Sequence, residues 1–310
     1  MKTFRTAFPY VMDKDLPDNL EDLIANRGFD GLTDTARQGH GWSQVANDSR
    51  LLFVDGKYLL RYLSCQRKPD AVAVARLVNE RIDQATEAGR EVSLDLKREM
   101  EVQAENELLK YAAVSSNSVY LLLWPAQRLL IASGGTVRKC EDALSYLRKT
   151  LDTLAVAPWG DLIRLAEVIT EHMTADETVY SLPANLSIST FGKTIFTGSD
   201  SSLKVVLDGV QNDTDDAKSM LAGMSARAIE MSLVRRPDNG QIDNLANFTL
   251  QMPQSGNIHF KKYDYDDDVV REDIAQELIS EMHLVCSYTQ EILSALQVFM
   301  GVKSEEPATA

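Results

Sequence analysis

The chain has 310 residues and a mass of 34.5 kDa, with 44% hydrophobic and 25% charged residues. That is enough for one large domain or two to three small ones, and it excludes a disordered chain, a fibre and a disulfide-stapled mini-protein. Its 32 Lys and Arg stand against 46 Asp and Glu, a formal net charge of −14. Taken whole, it repels phosphate backbones and anionic membranes, so a nucleic-acid surface requires local segregation of charge.

In chain order, residues 4–12 read as an opening strand and residues 17–27 as a short helix with Leu20, Leu23 and Ile24 on one face. A glycine-rich stretch, 28–42, follows. Strands over 51–54 and 57–64 flank Asp55-Gly56, a type I′ hairpin signal, because both central residues need positive φ. Residues 71–88 carry helical spacing, Gly89 interrupts it, and 100–113 resume it. A second hairpin, 119–124 and 129–132, leads through Gly134-Gly135 to Thr136, an N-cap for a helix reaching Leu154. The least legible part, 159–224, suggests a helix over 162–173, a hairpin around Gly192 and a helix near 215–224. Strands over 228–234, 247–252 and 258–263 precede a long helix from about Val269 to Met300, closed by Gly301. The pattern predicts an α+β fold with antiparallel sheets, long amphipathic helices and repeated hairpin–helix units. Its regions are an N-terminal 1–158, a middle 159–225, a C-terminal 226–303 and a disordered tail 304–310.

Residues 1–12 contain no apolar run of the signal-peptide kind, and apolar stretches such as 119–125 fall far short of the roughly 20 residues that span a bilayer. A cytoplasmic protein without a membrane partner is expected. Cys65, Cys140 and Cys286 lie far apart and form no CxxC pair, which predicts buried, reduced thiols.

Four enzymatic motifs fail on their chemistry. Residues 187–194, SISTFGKT, resemble a Walker A loop, but Ser187 stands where glycine is needed and a strand follows. Asp70, Asp95 and Lys97 match a metal-dependent nuclease pattern on paper, yet a helical segment separates the two carboxylates. The acids of 264–268 suit the positive end of a helix dipole better than a calcium loop, since Val269 and Ala275 occupy the glycine and glutamate positions. His40, His172, His259 and His283 are not at ligand spacing, and no serine sits in a GxSxG elbow. No catalytic residue, metal or cofactor is expected; the alternatives are a divalent-metal nuclease using Asp70, Asp95 and Lys97 or the acids of 264–268, and an acidic interaction protein that binds a basic partner and no DNA.

Charge is uneven. Residues 57–98 hold nine basic and six acidic side chains, 128–149 hold five and two, and 261–310 hold four and eleven. Gathering the first two segments on one face would make a phosphate-binding surface inside an acidic protein. For Arg76, Arg81, Arg90, Arg148 and Lys149, and for Arg235-Arg236, an ordinary solvated surface remains the competing reading.

Residues 139–158, KCEDALSYLRKTLDTLAVAP, resemble a segment of the recombination-associated RdgC family. Further pieces fall in family order: Gly41-Trp42, Leu108-Leu109, residues 255–258 with Lys262, and DVVREDIA at 268–275. The resemblance spans roughly the whole chain and is thin over 159–224. It implies an α+β protomer of a ring-shaped homodimer with a basic-lined hole. Such a protein binds duplex DNA without catalysis or sequence preference, restrains a RecA-type recombinase and associates with the nucleoid. The DNA surface it implies comprises Arg67, Lys68, Arg76, Arg81, Arg90, Lys97, Arg98, Lys139, Arg148 and Lys149 as a group. Two departures stand out: Ala113 replaces a family aromatic, and a lysine-rich helical cluster is reduced to Arg90, with Lys97 and Arg98 nearby.

Overall fold

The computed structural model of the chain describes residues 3–46, 48–175, 177, 180–198, 202–237, 240–265 and 273–301. The N-terminal part contains β1 (Thr6–Met12), α1 (Leu20–Ala25), β2 (Gln38–Ser43), β3 (Leu51–Val54), β4 (Lys57–Arg67), α2 (Ala71–Glu87) and α3 (Leu94–Leu109). Then come β5 (Val114–Trp124), β6 (Leu129–Ser133), α4 (Val137–Leu151), β7 (Val156–Pro158) and α5 (Leu162–Thr174). The remainder is β8 (Leu186–Ile188), β9 (Thr194–Thr197), β10 (Lys204–Leu207), α6 (Asp215–Leu221), β11 (Ser225–Arg235), β12 (Asp243–Gln251), β13 (His259–Tyr265) and α7 (Ile274–Phe299). The fold is α+β, and its strands join in one large antiparallel sheet with the path β10-β9-β11-β12-β13-β1-β6-β5-β4-β2.

β1 is the joint of this sheet. One flank pairs with β6 from Phe8 to Val11. The other is shared by β13, opposite Thr6 and Ala7, and β7, opposite Tyr10 to Met12. Alternation divides the side chains between two cores. Ala7, Leu59, Leu122 and Ile131 join the core built with α5 and α7. Phe8, Tyr10, Leu60, Leu121, Leu123 and Leu130 join the one under α1 and α4. Apolar residues are therefore needed on both faces of the C-terminal half of β5 and of β6, which is why residues 119–124 and 129–132 read as unbroken runs.

Local signals decide many boundaries. Asp55 and Gly56 have φ of 47° and 71°, as a type I′ turn demands. Thr136 caps α4 by accepting a hydrogen bond from the Lys139 N–H. Ser93 caps α3 in the same way, so this helix starts at Leu94 rather than near Met100. Asp273 caps α7, and Gly301, at φ 73°, follows its end. Asp266–Asp268 and residues 269–272, where an acidic helix entry was expected, lie outside the described residues, as does the expected tail over 304–310.

Two further elements depart from the expectations. Gln38–Ser43, inside the glycine-rich stretch, is a strand paired with Arg61–Gln66 of β4. A Cβ at Gly41 would stand 2.5 Å from the Phe29 side chain, so glycine is required there by close approach. The segments around Gly192 do not form a hairpin. β8 and β9 both pair with β11, end to end along one flank, and residues 189–193 turn out of line between them.

The stretch 139–158 is a structural node. Tyr10 of β1 donates to Glu141 Oε1 at 3.0 Å and accepts from Asn257 Nδ2 at 2.9 Å. The Trp42 indole donates to Thr150 Oγ1, and Arg148 donates to the Val156 carbonyl. The three cysteines are buried, and burial pushes the Cys140 and Cys286 thiols up to about 12, which keeps them protonated and unreactive.

His259 shows the same cost of burial with the opposite sign. Its ring stacks on Phe8 at 4.5 Å, Nδ1 lies 2.9 Å from the Asn257 carbonyl, and desolvation lowers its pKa below 6.5. The stabilisation it provides is complete above the unfolded value of 6.5 and is lost as pH falls toward the lowered native one. Urea unfolding at about pH 7.5 and about pH 5.5 should show lower stability at the acid value, with a smaller drop in His259→Gln.

Candidate nucleic-acid interface

α2 and α3 form a helical arm that leaves the end of β4. Its inner seam is apolar, with Val78, Ala104 and Leu109 buried. Its outer faces are charged because little else packs on them. Arg81 fastens the two helices: its guanidinium pairs with Glu107 and reaches the Met100 carbonyl.

A cleft of 710 Å³ runs from the junction of arm and sheet along one face of the arm, as far as Asn79 of α2 and Lys97 of α3. Arg37, Arg67, Lys68 and Lys97 bring four cations to its wall, against Glu101 and Glu105. Val74, Ala75 and Val78 supply an apolar floor. Arg67 is only 9% exposed; its Nη1 donates to the Thr33 and Asp34 carbonyls, and the residue braces the wall from behind. Arg37 is held by Glu105 and Asn106. Lys68 and Lys97 are exposed and form no ion pair among the described residues, so both ammonium groups are available to a ligand.

The other cations that the family resemblance implicated are not gathered here. Arg76 pairs with Glu80 at 3.7 Å, and Arg98 with Asp95 at 3.7 Å, both on exposed faces of the arm. Arg90 is exposed at the turn beyond Gly89. Lys139, Arg148 and Lys149 lie on α4, which packs over a different part of the sheet. There Lys139 donates to Asn117 Oδ1, and Arg148 approaches Glu141 at 4.0 Å. The structure thus forms a cationic cleft from part of the group and leaves the rest on separate surfaces. Sequence reasoning missed Arg37, which stands in the connection before β2, far from the other cations in the chain. Only the pairing of β2 with β4 brings it to the cleft.

Asp70 and Asp95 do not converge. Asp70 caps the start of α2, accepting from the Val72 N–H at 3.1 Å, whereas Asp95 lies in the first turn of α3. The 17 residues of α2 extend roughly 25 Å between these ends at 1.5 Å per residue. Among the described residues, no group of three or more His, Cys, Asp or Glu could hold a metal ion, and no helix is long and apolar enough to cross a membrane.

A family model described as "Putative exonuclease, RdgC" matches residues 3–231. Proteins named "Recombination-associated protein RdgC" are similar to this chain. The one from Proteus mirabilis (strain HI4320) is 25% identical over 198 residues, covering 61% of this chain and 63% of that protein. The one from Pseudoalteromonas translucida (strain TAC 125) is 24% identical over 252 residues, 77% of each. The one from Actinobacillus pleuropneumoniae serotype 3 (strain JL03) is 22% identical over 300 residues, 92% of each. The match spans less than two thirds of the Proteus mirabilis protein and 53% of that from Tolumonas auensis. With the family model covering well over half of its length, the chain belongs to the RdgC family.

Proposed function

We propose that this protein binds duplex DNA without sequence preference, as a ring-shaped homodimer, and modulates RecA-type recombination without catalysing a reaction on the DNA. The observation that carries this reading is the arm cleft. Its two exposed lysines, without an ion pair among the described residues, stand beside two arginines held in place and suit a phosphate backbone. Cations on flexible stems neutralise phosphates but do not read base edges, so affinity without specificity is the expected behaviour. The relatives' name, recombination-associated, supports the biological setting. A nucleoid-associated location in the cytoplasm follows from the same reading. Closure of two protomers around the duplex would keep a modestly charged lining in contact with DNA.

The family model's description supplies the alternative, an exonuclease. The residues that would carry a metal-dependent cleavage are engaged separately: Asp70 as a helix cap, Asp95 beside Arg98 at the other end of the arm. One titration separates the two. Duplexes of unrelated sequence should bind with equal affinity, and log affinity should fall linearly with log salt, with a slope of about −0.9 per phosphate contact. Incubation with Mg²⁺ should leave the duplex intact. Mg²⁺-dependent shortening that disappears in Asp95→Ala would give the function to the nuclease, and no binding at about 50 mM salt would remove DNA as the ligand.

A further inference from the structure

A second cationic surface lies on the open face of the sheet, at the joint between β1 and β13. It is a shallow hollow of 830 Å³, and Arg5, Lys261 and Lys262 bring cations to it. Regular alternation along β13 would turn one of two successive lysines into the core. Here both are exposed, while Phe260 and Tyr263 on either side are buried. The cause is a bulge. Asn247 faces Asp264 and Thr249 faces Lys261, so three steps on β13 oppose two on β12, and Lys262 takes up the extra residue at φ 51°. A lysine in the left-handed region is disfavoured, and bulges re-aim side chains.

The charges on this face are unevenly committed. Lys262 Nζ pairs with Glu230 Oε1 at 3.1 Å, and Glu230 Oε2 accepts from the Lys193 N–H, so that carboxylate is neutralised. Arg5 and Lys261 are exposed and hold no ion pair among the described residues. Arg5 also lines an adjoining hollow of 660 Å³ that contains Arg61. The cations therefore run in a band across the joint, over a lining with polar side chains such as Ser232, Asn247 and Thr249, together with the carboxylates of Asp264 in the first hollow and Glu277 in the second.

We propose that this band is a second contact surface for the nucleic-acid backbone, in which Arg5 and Lys261 each neutralise a phosphate and Lys262 keeps Glu230 from repelling it. This rests on the DNA-binding reading and extends it to residues on the opposite side of the chain's charge balance. Lys261 and Lys262 belong to a segment that is strongly acidic when counted along the sequence, and only the bulge sets them together on the open face.

The test uses the full chain and a random-sequence duplex. Arg5→Gln with Lys261→Gln keeps much of both stems and removes both charges. The slope of log affinity against log salt should become less negative by about 1.8, with affinity at about 100 mM salt down at least tenfold. Lys262→Gly places at φ 51° the residue best suited to it, so the fold should hold. Binding should still weaken, because Glu230 loses its partner. An unchanged slope in both folded variants would overturn the proposal while leaving wild-type DNA binding intact. Loss of binding to polyglutamate but not to DNA would assign the band to an acidic polypeptide and also overturn it. A wild-type protein that binds no duplex at about 50 mM salt would overturn the DNA reading and this proposal together.

Discussion

Lys68→Glu combined with Lys97→Glu should weaken duplex binding about 100-fold at about 100 mM salt, a loss of about 2.7 kcal/mol. Removing two phosphate contacts costs nearly two decades at that salt, and two new negative charges in the cleft add repulsion. The fold should survive, because both side chains are exposed and neither holds an ion pair among the described residues. Fluorescence anisotropy across a salt series, with circular dichroism on the same samples, checks both halves. Unchanged affinity in a folded double variant would remove the arm cleft as the binding surface. Arg81 is a poor place for such a test. It fastens α2 to α3 through Glu107 and the Met100 carbonyl, so reversing its charge would loosen the arm as well as alter its field. Arg67 is unsuitable for a related reason, since it ties the end of β4 to the carbonyls of residues 33 and 34.

Trp42→Ala should destabilise the protein by about 3–5 kcal/mol. The indole is completely buried, meets Tyr62 edge-on at 6.1 Å and Tyr146 at 5.4 Å, and donates to Thr150 Oγ1 at 3.0 Å. Alanine leaves a cavity between β2 and α4 and removes the hydrogen bond that joins them. Trp42→Phe restores most of the volume but not the donor, so it should lose less. Urea unfolding followed by far-ultraviolet circular dichroism would show the midpoint falling with the slope unchanged. A loss below about 1 kcal/mol for the alanine variant would mean that this core relaxes around the gap.

Legibility from sequence followed the range of the interactions involved. The Asp55-Gly56 turn, the Thr136 cap and the apolar face of α4 are local, and each can be read within a few residues. β2 was hidden because QGHGWS has two glycines and no apolar alternation; its pairing with β4 and the packing of Trp42 hold it as a strand. The turn at Gly192 was visible, but the shared flank of β11 was not, since nothing in residues 186–197 names its partner. The cleft was half legible. Lys68 and Lys97 lie in a segment that counts as basic, whereas Arg37 arrives through sheet pairing, and the burial of Arg67 depends on two carbonyls of a distant loop. The motifs that carry the family resemblance proved easiest to recognise, because they hold the scaffold: Trp42 with Thr150, and Glu141 with Tyr10 and Asn257.

The double-flanked position of β1 has a consequence for biogenesis. Its first strand leaves the ribosome early and meets β6 across Phe8 and Ala132, but the flank at Ala7 waits for Phe260. At the usual translation speed of 5–20 residues per second, that delay is on the order of 10–50 s. During this interval the nascent chain carries an unfinished strand edge beside apolar side chains meant for α7, so its synthesis should be sensitive to holdase chaperones until the C-terminal strands arrive.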